Sequence, residues 1–82
     1  MEKMEKLYLQ IDKLCAKNKI SCQKDIAYNG DLHLQFRRPK SYGIDYAECY
    51  VSTYELQRRG TRHIIRNLKG FINLSFNLDF WS

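Results

Sequence analysis

Between Glu55 and Gly70 the chain reads ELQRRGTRHIIRNLKG, which sets four arginines, a lysine and a histidine within 16 residues. Guanidinium groups in a row can contact successive phosphates of a nucleic-acid backbone, and tyrosines nearby can stack on exposed bases. On a helical wheel advancing about 100° per residue, Arg58, Arg59, Arg62, Arg66 and Lys69 share one arc. Tyr54, Ile64, Ile65, Leu68 and Phe71 share another. The segment is therefore expected to be a two-sided helix, anchored by its apolar arc and free to face a partner with its basic one. Arg37, Tyr46 and Tyr50, with His33 and Gln35, are candidates to extend that surface from neighbouring strands. An arginine and tyrosine surface also suits a protein interface.

Catalytic and metal chemistry have thinner support. His33 and His63 are the two histidines of the chain. The sequence shows no glycine-rich phosphate loop, paired-carboxylate motif or nucleophile elbow. Asp25, Asp31, Asp45 and Glu48 lack metal-ligand spacing. The three cysteines, Cys15, Cys22 and Cys49, have no CxxC spacing and suit a reducing compartment better than a disulfide framework. A Cys–His pair, Cys49 with His33 or His63, would have to form in space. The reading is of a non-enzyme without metal or cofactor.

The elements that must position these residues follow from periodicity. Met4, Leu7, Ile11, Leu14 and Cys15 recur at helical spacing, bordered by Tyr8, and Asn18 is a stop. Asn29-Gly30 is a hairpin signal of the type I′ kind, favoured over a short helix across 21–30. Leu32, Leu34 and Phe36 alternate with His33, Gln35 and Arg37, and Pro39 closes that strand. The stretch IDYAECYVS reads as a further strand, with Tyr42, Tyr46 and Tyr50 on one face beside Glu48, and Ala47, Cys49 and Val51 on the other. A single helix over 45–59 is the alternative there. Ser52 and Glu55 form a capping box that opens the basic helix, and Gly70 stands where it would end. Gly60 either admits a close neighbour or marks a later helix start at Thr61. Finally, Ile72, Leu74, Phe76, Leu78 and Phe80 alternate with polar residues, the pattern of a C-terminal strand. Such a strand would be integral to the sheet, or would pair at an edge in a homodimer.

The element order, helix, three strands, helix, is similar to that of double-stranded-RNA-binding domains. RRGTRHIIR departs from the lysine-rich motif at the start of their second helix, and the C-terminal strand is an addition to their pattern. The resemblance is one of order alone.

At 82 residues the chain has length for one domain, 1–82, close to the size at which a single core is marginal. Its net charge of +5 favours nucleic acid or an acidic protein surface as partner. No apolar run is long enough for a membrane span or a signal peptide, so a cytoplasmic protein is expected. The fold class is α+β: an N-terminal helix, an antiparallel sheet of three to four strands, a basic second helix and a C-terminal strand. The expected function is non-catalytic binding to nucleic-acid backbone through the basic helix. The alternative is a small inhibitor or adaptor, of the kind phages encode, that docks on a larger protein and modulates it.

Overall fold

The computed structural model describes residues 2–77. Helix α1 (Glu2–Lys17) is followed by strands β1 (Ser21–Ile26), β2 (Leu32–Lys40) and β3 (Gly43–Val51), then by helices α2 (Thr53–Arg59) and α3 (Thr61–Phe76). The strands form one antiparallel sheet in the order β1-β2-β3. The protein is thus a small α+β domain whose helices all follow or precede the sheet.

Alternation on β2 sets the layers. Leu32, Leu34 and Phe36 are fully buried, and the register places Val51, Cys49 and Ala47 of β3 and Ile26, Lys24 and Cys22 of β1 beside them. This inner face meets Leu7, Ile11 and Cys15 of α1 and Ile64, Leu68, Ile72 and Phe76 of α3, each set recurring every four residues. The opposite face carries no helix among the described residues. Its rows are Ser21, Arg37, Tyr46; Gln23, Gln35, Glu48; and Asp25, His33, Tyr50.

Helix α1 ends as its sequence suggests. Asn18 leaves the helix, Lys19 adopts φ 58°, and the Ile20 and Lys19 N–H groups donate to the carbonyls of Cys15 and Ala16. That pair of bonds is the Schellman arrangement, with buried Ile20 closing over Cys15. Lys24 reaches back from β1 to Asp12 of α1 at 2.6 Å, tying helix to sheet.

Two details differ from the sequence expectations. The hairpin exists, but its loop is Tyr28-Asn29-Gly30, closed by Ala27 N–H to Asp31 O at 2.8 Å. Only Gly30 of that loop has positive φ, at 93°, so the turn is the three-residue form with a glycine in the left-handed region and not type I′. Pro39 does not end β2, which continues to Lys40. Proline is tolerated there because β2 has run past β1, whose pairing stops at Arg37, so it has one strand neighbour instead of two.

The larger correction concerns the C-terminus. Phe71–Phe76 belong to α3, not to a strand, and the helix runs through Gly70 without stopping. Ile64, Leu68, Ile72 and Phe76 form one uninterrupted four-residue stripe, and burying it outweighs the local alternation. Leu74, which a strand would bury with Ile72 and Phe76, is 83% exposed. The helix ends at Asn77, in the left-handed conformation with its N–H on the Asn73 carbonyl. Leu78 and Phe80 lie outside the described residues. With 71–76 helical, edge pairing of a C-terminal strand in a homodimer loses the greater part of its basis.

Candidate nucleic-acid or partner interface

The basic segment is two helices. Ser52 caps α2 by accepting the Glu55 N–H at 3.2 Å, as the S-x-x-E spacing suggests. The return half of the capping box is replaced by a longer reach, because the Glu55 carboxylate meets His63 Nε2 at 3.0 Å instead. Gly60 then breaks the helix at φ 88°, ψ 172°, a conformation open essentially to glycine. A Cβ there would meet no atom within 4 Å, so the glycine serves the backbone turn and not a close approach. Helix α3 restarts at Thr61, and the Glu55–His63 pair bridges the break.

A single wheel therefore does not describe the cations. Arg58 and Arg59 ride on α2, Arg62 and Arg66 on α3. Tyr54, expected in the core, is 64% exposed and receives a hydrogen bond from Arg58 at 3.0 Å, while Leu56 supplies the buried anchor of α2. Lys69 is half-buried on α3. Arg59, Arg62 and Arg66 are exposed, and none has a carboxylate within ion-pair range among the described residues.

Most of the described carboxylates elsewhere are engaged. Asp12 pairs with Lys24, and Glu48 with His33. Asp45 pairs with Lys40 and Arg38, which together hold its carboxyl below the ordinary range, and Glu55 pairs with His63. Asp25 accepts from Gln23, and Asp31 accepts from Asn29 and the Thr53 N–H. Among the described residues, exposed cations without a carboxylate partner lie in two places: arginines at the end of α2 and the first turns of α3, and Lys6, Lys13, Lys17 and Lys19 along and just after α1.

Arg37, Tyr46 and Tyr50 sit apart from that cluster, on the uncovered sheet face. Arg37 lies over the Tyr46 ring at 5.1 Å. The Tyr46 hydroxyl accepts from Gln35 at 2.9 Å and donates to Glu48 at 2.9 Å. Glu48 also meets His33 at 2.8 Å, and that bond, with the one from Tyr46, lowers its pKa below the ordinary value. His33 stacks on Tyr50 with ring centroids 4.5 Å apart and planes 11° from parallel. The sheet face and the back of α3 look out from opposite layers, so the candidates form two surfaces, joined at one end by α2.

Sequence reasoning passed over Arg38. Its guanidinium donates to Asp45 at 3.1 Å and to the Phe76 carbonyl at 2.9 Å, clasping the end of α3 to the sheet. Its one available signal was its position next to Arg37, which strand alternation turns to the inner face.

The thiols take separate places. Cys49 faces inward, opposite to His33, and burial pushes its thiol up to about 11. A hydrogen bond between Cys15 and Cys22 lowers the Cys22 pKa and raises that of Cys15. Among the described residues no three His, Cys, Asp or Glu side chains gather to hold a metal ion, and no helix is long and apolar enough to cross a membrane.

Beside β3 lies a hollow of about 180 Å³ between that strand, α2 and α3. Comparison with protein-family models, curated proteins and solved structures returned no match for the chain. The likeness to double-stranded-RNA-binding domains thus stays one of element order.

Proposed function

We propose that the protein is a non-catalytic binding protein that holds a nucleic-acid backbone through Arg59, Arg62 and Arg66. The observation that carries this reading is the cluster of Arg59, Arg62 and Arg66, three exposed guanidinium groups close together in the chain on either side of Gly60 and unmatched by carboxylates among the described residues. Forming a phosphate contact there breaks no ion pair among those residues. Arg62 and Arg66 stand one helical turn apart, about 5–6 Å between Cβ atoms, a spacing that lets them meet neighbouring phosphates. Contacts of this kind position the strand without reading its sequence, so little base specificity is expected.

Fluorescence anisotropy with labelled duplex and single-stranded oligonucleotides at low salt tests the proposal. Binding that weakens when Arg62 and Arg66 become alanine, and not when Lys13 and Lys17 of α1 do, supports it. Absence of binding at low salt refutes it. A second reading, docking on an acidic protein surface as an inhibitor or adaptor, draws on the same arginines and on Ile44 and Tyr42, which are 64% and 86% exposed at the β2–β3 end. Capture of one stable protein from nuclease-treated extract, with no oligonucleotide binding, would favour it.

A further inference from the structure

We infer that Cys15 and Cys22 are a redox couple: a hydroperoxide oxidises Cys22, and Cys15 closes on it to give a disulfide that fastens the end of α1 to the start of β1. The inference is separate from the nucleic-acid reading and needs neither α2 nor α3.

The two residues meet because of the way α1 runs into β1. Cys15 lies in the last turn of α1, and its carbonyl accepts the N–H groups of Asn18 and Ile20 at 3.0 and 2.9 Å, so the chain doubles back at once. Cys22 follows as the second residue of β1. Alternation turns Cys22 and Lys24 to the inner face, where Cys22 packs against the core that holds Ile11 and Cys15. Farther from the turn, Lys24 reaches Asp12, which stands one helical turn before Cys15, at 2.6 Å. The cysteines thus lie between two ties, the turn at 18–20 and the ion pair, and their thiols share a hydrogen bond. A disulfide asks the sulfurs to close from that contact to about 2 Å. Cys49 is no rival partner for Cys22. Strand β2 separates β3 from β1, and two strand spacings, roughly 10 Å, exceed a disulfide's reach.

The couple is asymmetric. Cys15 is buried, whereas Cys22 is half-buried. The hydrogen bond from Cys15 favours the Cys22 thiolate, and the Lys24 ammonium adds to this, against burial and the Asp12 carboxylate; the Cys22 pKa is lowered. Lys24 is held there by Asp12 and lies over the Tyr8 ring, 5.6 Å from its centroid. The Cys22 thiolate attacks one peroxide oxygen, the O–O bond breaks, and the departing oxygen takes a proton from water, leaving a sulfenic acid. The Cys15 sulfur then attacks the Cys22 sulfur. The S–S bond forms as the S–O bond breaks, and hydroxide leaves with the Cys15 proton as water. Two thiols are oxidised and one peroxide bond is reduced.

The test adds hydrogen peroxide to the reduced full chain, alkylates the remaining thiols in denaturant and maps the peptides by mass spectrometry. A Cys15–Cys22 linked peptide is expected, lost on treatment with dithiothreitol, with Cys49 alkylated. Iodoacetamide on the folded chain gives a second readout. Near pH 7, a thiol at the ordinary value of about 8.5 carries roughly 300-fold more thiolate than one at about 11, the Cys49 value, offset about tenfold by lower nucleophilicity. Cys22 should therefore react about 20-fold faster than Cys49, or more. Lys24→Gln should move the pH midpoint of Cys22 alkylation up, and Lys24→Arg should restore it. Cys15→Ala should stop the oxidation at a sulfenic acid that dimedone captures; the map of the parent chain stands without this variant if it fails to fold. Cys22 carried to sulfinic acid with Cys15 still alkylated overturns the couple. So does a Cys22–Cys22 link between chains, or a Cys22 that reacts no faster than Cys49.

Discussion

Ile72 and Leu74 are two residues apart, and a strand would bury both on one face. In α3 they part company, with Ile72 fully buried and Leu74 83% exposed. Truncating Ile72 to alanine should cost about 2–5 kcal/mol, because the side chain leaves a cavity among packed neighbours. A domain of this length has a total stability of roughly 4–12 kcal/mol at the usual 0.05–0.15 kcal/mol per residue, so that variant loses a large share of it. Ile72→Val, at about 0.5–1.5 kcal/mol, gives a measurable intermediate. At roughly 4–8 °C per kcal/mol it lowers Tm by about 2–12 °C. Leu74→Ala should stay within about 0.5 kcal/mol of the parent, since little is buried there to lose. Urea unfolding followed by far-UV circular dichroism measures all three variants. A Leu74→Ala loss as large as that of Ile72→Ala would show that alternation, not the helical stripe, governs this segment.

Two further outcomes follow from local geometry. Gly60→Ala should destabilise by about 1–3 kcal/mol through the backbone conformation alone, since a Cβ at that point meets nothing, and the urea midpoint should fall with no change in slope. Glu48 has its folded-state pKa depressed, first by the His33 hydrogen bond and then by the one from Tyr46. Its contribution to stability is therefore present above the unfolded value and is lost as pH falls through the folded one. An NMR titration should place the Glu48 carboxyl below 4.5, and His33→Ala should move it up towards that value; an unmoved titration contradicts the bond.

The parts of the fold legible in the sequence were those where one local pattern faced no rival. The four-residue stripe of α1, the alternation of β2 and the Tyr46–Glu48–Tyr50 face of β3 emerge as read, while Tyr42, expected on that face, lies in the turn before the strand. The Ser52 cap emerges too, because it needs nothing beyond three residues of spacing. The C-terminal segment was misread because INLSF satisfies two periods at once: positions 72 and 76 serve a strand face and a helix stripe equally. The conflict is settled by Ile64 and Leu68 upstream, whose stripe continues only if the helix passes Gly70. Glycine there costs about 1 kcal/mol relative to alanine, less than burying Ile72 and Phe76 returns. The candidate site was legible as a list of cations but not as a surface. Gly60 divides its axis, Tyr54 turns out to solvent, and Arg37, Tyr46 and Tyr50 occupy the other layer. Such separations depend on which sheet face the helices cover, and alternation on a strand is blind to that choice.

The central claim is that arginines left without carboxylate partners hold phosphates, and salt dependence measures it most directly. If Arg59, Arg62 and Arg66 each neutralise one phosphate, the slope of log K against log salt is about −2.7 on duplex DNA and about −2.1 on a single strand. Raising salt from about 50 to about 200 mM should then weaken binding about 40-fold or about 20-fold respectively. Replacing Arg62 and Arg66 by alanine should leave a slope near −0.9 or −0.7 and a loss of about threefold over the same interval. A slope that the double substitution leaves unchanged would place the phosphate contacts elsewhere and contradict the account.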